Sequence, residues 1–317
     1  MSIIEVSGLR KSYGDFDAVK NIDFAVEEGE IVAVLGPNGA GKTTTVEILE
    51  GYRPRDAGEV TVLGMDPAHG GAELRERIGI VLQECGMSPY LSVAEILTRT
   101  AEYYPHPRSV DEVIGLVGLE EKAGSRVKTL SGGQRRRLDV ALGLIGDPEL
   151  LFLDEPTTGF DPSARRQAWD VVRNLGQLGK TVLLTTHYMD EAQELADRVI
   201  VIVAGEIVAE GPPESIGGRA DADAEIRFRP PPGTGADAAP PGAVVQPDGE
   251  LVIMSSSPTA DLHRLTAWAL DHGGELESLT VSRPSLEDVY LALIDDETTP
   301  STSSRDAADG ASDGDPS

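Results

Sequence analysis

Cysteine is almost missing from this chain of 317 residues. Cys85 is the single one, so no intrachain disulfide can form, and a reducing compartment is the simplest setting. Long apolar runs are missing too. The longest, 199–204, is far too short to cross a bilayer, so any membrane-spanning part must come from another chain. The amino terminus, Met1-Ser2-Ile3-Ile4-Glu5-Val6, reads as a first strand and not as a signal peptide. Basic residues are scarce: 27 Lys and Arg stand against 54 Asp and Glu, a formal net charge of −27. A nucleic-acid-binding surface needs a basic footprint, so no nucleic acid is expected as a partner. The 40% of hydrophobic residues suffices for one large domain and a small one.

Residues 1–215 alternate strand and helix signals, the mark of an α/β domain. The runs 31–35, 79–82, 150–153, 181–185 and 199–203 are continuously apolar, as expected for parallel strands covered on both faces. Residues 206–210 are expected to pair with the last of them. Past Gly211-Pro212-Pro213 the character changes. Residues 216–296 read as a small α+β domain: two or three strands, a helix carrying Leu262, Leu265, Trp268 and Leu270, then a strand and a helix. Asp248-Gly249 suits a hairpin turn between 243–245 and 251–254. The stretch 230–242, rich in Pro, Gly and Ala, reads as a loop or linker. The acidic, Ser- and Thr-rich tail 297–317 reads as disordered.

Gly36-Pro37-Asn38-Gly39-Ala40-Gly41-Lys42-Thr43-Thr44 fits the phosphate-binding pattern G-x-x-x-x-G-K-[ST]. An apolar strand precedes it and a helix with Val46, Ile48 and Leu49 follows. A glycine-rich turn there lets main-chain N–H groups close around an anion, and the helix start adds partial positive charge. Lys42 can reach terminal phosphates, and the Thr43 hydroxyl can ligate Mg²⁺.

A second element, Leu150-Leu151-Phe152-Leu153-Asp154-Glu155-Pro156, ends a buried strand in two carboxylates, at the edge where open α/β sheets bind ligands. Asp154 can hold Mg²⁺ through its water shell, and Glu155 can act as general base on water. The third element is Leu130-Ser131-Gly132-Gly133-Gln134. Ser131 is a candidate N-cap, two bare glycine N–H groups follow, and the helix continues along Leu138, Ala141, Leu142 and Ile145. Arg135, Arg136 and Arg137 read as a solvated helix face.

These three motifs, in this order and spacing, resemble the ATP-binding subunits of ABC transporters. Gly36–Thr44 looks like their Walker A, 130–134 matches the LSGGQ signature, and 150–155 looks like Walker B with its catalytic glutamate. The resemblance implies a P-loop NTPase fold of ABC type with a helical subdomain bearing the signature, followed by a small C-terminal α+β domain. It implies ATP and Mg²⁺ as ligands. Tyr13 resembles the aromatic that stacks on adenine. Gln83 resembles the glutamine near Mg²⁺ and the attacking water, Asp161 the D-loop aspartate, and His187 the switch histidine at the γ-phosphate. Ser131, Gly132, Gly133 and Gln134 would meet ATP held by another copy, in a head-to-tail homodimer. Catalytic roles fall to Glu155, His187, Gln83 and Lys42; metal roles fall to Thr43, Gln83 and Asp154.

The segment Ser282-Arg283-Pro284-Ser285-Leu286-Glu287-Asp288-Val289-Tyr290 and the start Leu9-Arg10-Lys11-Ser12-Tyr13-Gly14 resemble daunorubicin-resistance-type multidrug exporters. That implies a separate permease and a peripheral place at the cytoplasmic face of the membrane. Met87, Tyr90 and Leu91 suit permease docking or pack the adjacent helical region. Another cargo, or a soluble ABC ATPase acting on DNA or ribosomes, stays as the alternative. The latter is disfavoured because the interval of 111 positions from Thr43 to Asp154 holds no sustained heptads and the chain carries one set of motifs.

Overall fold

A computed structural model describes residues 1–82, 86–219, 221–231 and 240–291. Gln83, Cys85, most of the Pro-rich stretch and the tail expected at 297–317 lie outside the described residues.

The apolar runs assemble into one six-stranded sheet. It contains β3 (Ile31–Leu35), β5 (Ile78–Val81), β6 (Leu150–Asp154), β7 (Thr181–Thr186), β8 (Arg198–Val203) and β9 (Glu206–Gly211). Their order is β5-β6-β7-β3-β8-β9, with β9 antiparallel to β8 and the rest parallel. Both faces are covered, which is why β3 and β7 are buried at every position. On one face Leu35, Leu153, Leu184 and Val201 pack against five helices: α3 (Val93–Ala101), α4 (Val110–Leu116), α5 (Gly132–Leu144), α6 (Pro162–Gln177) and α7 (Met189–Leu195). On the other face Val34, Phe152 and Ile202 pack against α1 (Lys42–Leu49), Leu74 of α2 (Gly71–Arg77) and a second sheet.

That second sheet departs from the expected strand–helix alternation. β1 (Ser2–Tyr13), β2 (Phe16–Glu27) and β4 (Ala57–Val62) form an antiparallel sheet in the order β2-β1-β4. β1 and β2 are joined by a tight turn through Gly14, whose φ of 59° suits a residue without Cβ.

A third sheet lies in the C-terminal part: β10 (Ala224–Arg229), β11 (Val244–Val245), β12 (Leu251–Ser255) and β13 (Glu277–Ser282), in the order β11-β12-β10-β13. The Asp248-Gly249 hairpin pairs Val245 with Leu251. Helix α8 (Pro258–Asp271) sets Leu265 against Ile226, Phe228, Leu251 and Ile253. The chain then returns: residues 286–291 are helical, and Leu286 and Tyr290 share the large core with Ile216. Arg219 Nε donates to the Pro284 carbonyl at 2.6 Å beside them.

Glu50, at the end of α1, is buried. Burial first, then the charges of Asp154 and Glu47, push its carboxyl up to about 8 from an ordinary 4.5. The folded chain therefore holds this proton more tightly than the unfolded one. The stabilising contribution is full below 4.5 and is lost as pH rises through 8, by up to about 1.4 kcal/mol per pH unit. Glu50→Gln should therefore raise the melting temperature little at pH 5 and most above pH 8. Thermal unfolding scans across that range check it, and a gap that does not widen with pH would refute it. Leu286 is 1% exposed, so Leu286→Ala should destabilise the chain by about 2–5 kcal/mol in urea unfolding. A loss under about 1 kcal/mol would mean that the returning helix adds nothing to the large core.

Candidate functional site

Strand register builds the site. Leu35 pairs with Thr186, and Asp154 pairs with Thr185. The residues that follow these strand ends, Gly36, Glu155 and His187, therefore emerge side by side at the carboxyl edge of the sheet. Val81 pairs with Leu153, so Leu82 leaves β5 beside Asp154; Gln83 follows it and lies outside the described residues.

The loop after β3 is held close to its surroundings. A Cβ on Gly36 would stand 2.2 Å from the Ile202 carbonyl oxygen. Gly41 has φ 104°, and a Cβ there would stand 2.3 Å from the Ala18 carbonyl oxygen. Only glycine fits either place. Gly41 is the N-cap of α1, and no side chain caps that helix. Its first-turn N–H groups thus stay available to an anion. Lys42 is buried, and its Nζ donates to the carbonyls of Gly36 at 2.7 Å and Pro37 at 3.0 Å. Burial lowers its pKa, while the carboxylates of Glu155 and Asp154 act the other way. Thr43 is exposed and Thr44 half-buried, both in the first turn.

At the end of β6 the Thr185 hydroxyl donates to Asp154 Oδ1 at 2.5 Å. Glu155 takes a φ of 44°, a left-handed conformation that is strained for a residue with a side chain. Its N–H donates to the Thr185 carbonyl and to Thr185 Oγ1, each at 3.1 Å. The Thr158 hydroxyl donates to Glu155 Oε2 at 3.0 Å, and His187 Nδ1 lies 3.3 Å from Oε1. The carboxylate is thereby aimed from both oxygens. Among the described residues no group of three or more His, Cys, Asp and Glu could hold a metal. The oxygen donors of Thr43 and Asp154 suit Mg²⁺, which binds through one or two protein oxygens plus substrate phosphates.

Ser131 caps α5 in a capping box. Its Oγ accepts from the Gln134 N–H at 3.3 Å, and Gln134 Oε1 accepts from the Ser131 N–H at 3.0 Å. Ser131 and Gly132 are exposed, and Gly133 and Gln134 are half-buried. Among the described residues no hydrogen bond joins 131–134 to the loop 36–44 of the same chain. Asp161 caps α6, its Oδ1 accepting from the Ser163 and Ala164 N–H groups at 2.9 Å, with Pro162 at the first helical position. Tyr13 ends β1 half-exposed, with the Lys11 and Arg53 cations 5.6 and 5.3 Å from its ring centre. Met87 and Leu91 pack against the large core, whereas Tyr90 stays exposed beneath Lys128.

One expectation about the signature helix is overturned. Arg136 does not belong to a solvated face: it is 7% exposed. Its Nε donates to the Pro156 carbonyl at 3.1 Å and one Nη to Asp154 O at 2.8 Å; Glu155 O at 3.4 Å and Leu82 O also accept. Asp139, also buried, lies one turn on at 4.0 Å. The missed signal is the spacing 136, 139, 140, 143, a second buried stripe on α5. Glu191 was missed as well. It is fully buried, and it accepts from the Thr157 hydroxyl at 2.8 Å and the Trp169 indole at 3.2 Å. Burial pushes its carboxyl up, against the hydrogen bonds that favour the charged form.

The model of the ABC transporter family matches residues 19–158, and that of an ABC transporter domain-containing protein-like C-terminal domain matches 224–285. A daunorubicin resistance ATP-binding protein of Streptomyces coeruleorubidus is 38% identical over 304 residues, 93% of this chain and 96% of the relative. Nod factor export ATP-binding protein I of Rhizobium meliloti is 39% identical over 300 residues, covering 92% and 87%. The protein of that name from Ralstonia nicotianae is 43% identical over 220 residues, 68% of each chain. Among solved structures, the ADP conformation of an ATP-binding cassette superposes with a TM-score of 0.61 at 25% identity, covering 68% of this chain and 92% of that one. A dimeric post-hydrolysis cassette bound to ADP and Pi gives 0.59 at 26%, covering 66% and 98%. The phosphate loop, the paired carboxylates and the capped signature helix thus sit on a shared framework, and the chain belongs to the ATP-binding, ATP-hydrolysing subunits of ABC transporters.

Proposed function

We propose that this chain powers export of drugs or other small hydrophobic compounds through a separate membrane permease, working as a head-to-tail homodimer at the cytoplasmic face of the membrane. The single observation that carries the catalytic part is the common sheet edge where Gly36, Glu155 and His187 follow paired strand ends. The export part rests on relatives named for daunorubicin resistance and Nod factor export. The latter support a second reading, a different cargo driven by the same chemistry. Among the described residues no helix is long and apolar enough to cross a membrane, which suits a subunit that works beside a permease.

In this reading residues 1–215 bind and hydrolyse ATP and 216–296 form an accessory domain. The amides of 36–44 cradle the phosphates, and Lys42 leaves its carbonyl partners for the terminal phosphate. Tyr13 stacks on adenine. Glu155 takes a proton from water as the water oxygen bonds to the γ-phosphorus and the bond to the bridging oxygen breaks. His187, oriented by the same carboxylate at 3.3 Å, contacts the γ-phosphate. Thr43, Gln83 and Asp154 would hold Mg²⁺, which when bound neutralises phosphate charge. Ser131–Gln134 and Asp161 serve the partner copy's ATP. The Ser131 hydroxyl accepts within its capping box and keeps its proton free to donate.

Glu155→Gln should lower phosphate release by about 10²–10⁴-fold, the usual weight of a general base, while ATP still binds and traps a dimer. Phosphate assays and size-exclusion chromatography with ATP check this; a variant that turns over ATP normally as a monomer would sink both assignments. Co-expression with the permease from the same gene cluster should carry this chain into the membrane fraction, and deleting the pair should sensitise cells to hydrophobic drugs. Fractionation and growth inhibition read the two. Unchanged sensitivity across a drug panel, with membrane recruitment intact, would favour the other cargo.

A further inference from the structure

We propose that Arg136 is a positioning residue for Glu155, acting through the main chain of the turn on which that carboxylate stands. The inference rests on the reading of Glu155 as general base.

Burying a guanidinium is costly unless its donors are matched, and here they meet main-chain carbonyls. Three acceptors belong to consecutive residues, Asp154, Glu155 and Pro156, and another belongs to Leu82 at the end of β5. The middle residue of the three is the strained one, at φ 44°. A left-handed non-glycine residue persists only where its surroundings over-determine it. Thr185 fixes the N–H side of Glu155 through two acceptors at 3.1 Å. Arg136 fixes the carbonyl side. The peptide groups on both sides of the base are therefore held from outside the turn, while its side chain is aimed by Thr158 and His187.

The same side chain ties three parts of the site together. It stands in the second turn of α5, the helix capped by Ser131, and Asp139 one turn on balances its charge. It reaches the end of β5, one residue before Gln83, and the end of β6. A lysine could not replace it, because one ammonium on a flexible stem cannot span carbonyls on two strands.

The test measures Arg136→Gln and Arg136→Lys in the full chain, each alone and in the Glu155→Gln background. Steady-state and single-turnover phosphate release, binding of a fluorescent ATP analogue and thermal unfolding are read. Arg136→Gln should lower kcat by about 10²-fold, the scale of a misplaced catalytic group, with KM and analogue affinity within about twofold. In the Glu155→Gln background the same change should lower the residual rate by less than about threefold, because its effect runs through a base already removed. Arg136→Lys should fall between, and it carries the test if Arg136→Gln does not fold. Equal losses in both backgrounds, or an unchanged kcat, would overturn the proposal while leaving Glu155 as the base. Full turnover by Glu155→Gln alone would instead overturn the base assignment, and the proposal with it.

Discussion

Strand register is the constraint on which the site depends. Parallel pairing of β3, β6 and β7 ends in two matched positions, Leu35 with Thr186 and Asp154 with Thr185. Each strand is buried on both faces, so a shift of one residue would send every side chain into the opposite core, where its size and shape do not fit its neighbours. The hydrophobic effect thus sets the register, and the register sets which residues leave the sheet together. Thr185 shows how this reaches the chemistry. It is buried in β7, yet its hydroxyl and carbonyl serve Asp154 and Glu155 on the neighbouring strand. A one-residue slip would put Thr186 or Leu184 there, and leucine offers no hydroxyl.

What the amino-acid order reveals depends on how far the information must travel. The turn at 36–44 is local: an apolar strand, glycines where carbonyls crowd, and a helix behind them can all be read within 20 residues. Ser131 as a cap and the hairpin at Asp248-Gly249 are local in the same sense. The antiparallel sheet is not, because Ile4 meets Val62 across nearly the whole first fifth of the chain. Alternating burial along β2 was a weak trace of it. Arg136 was misjudged for a related reason. A charged residue among arginines suggests solvent, and only the carbonyl ends of two distant strands make its burial tolerable. Leu286 and Tyr290 look like part of a C-terminal appendage by position, but they complete a core begun at Ile31.

The electrostatics of the site point the same way as its geometry. Lys42 is buried with its ammonium turned onto two carbonyls of its own loop, and burial weakens its hold on the proton. At the other end of α1 Glu50 holds a proton well above the usual carboxylate range, pushed there by burial and by the negative charge of Asp154 and Glu47. Two cations, Lys42 and Arg136, and several carboxylates thus share a region where charges are poorly solvated, and each shift records a cost of keeping a charge there. A triphosphate brings negative charge to Lys42 and to the uncapped start of α1. A divalent ion brings positive charge to Asp154. Bound together they offset both costs, so nucleotide should stabilise the fold by mass action as well as react in it. Binding of substrate is then favoured by the same buried charges that cost the fold stability, and an acidic, lysine-poor chain can still bind a polyanion without a basic surface.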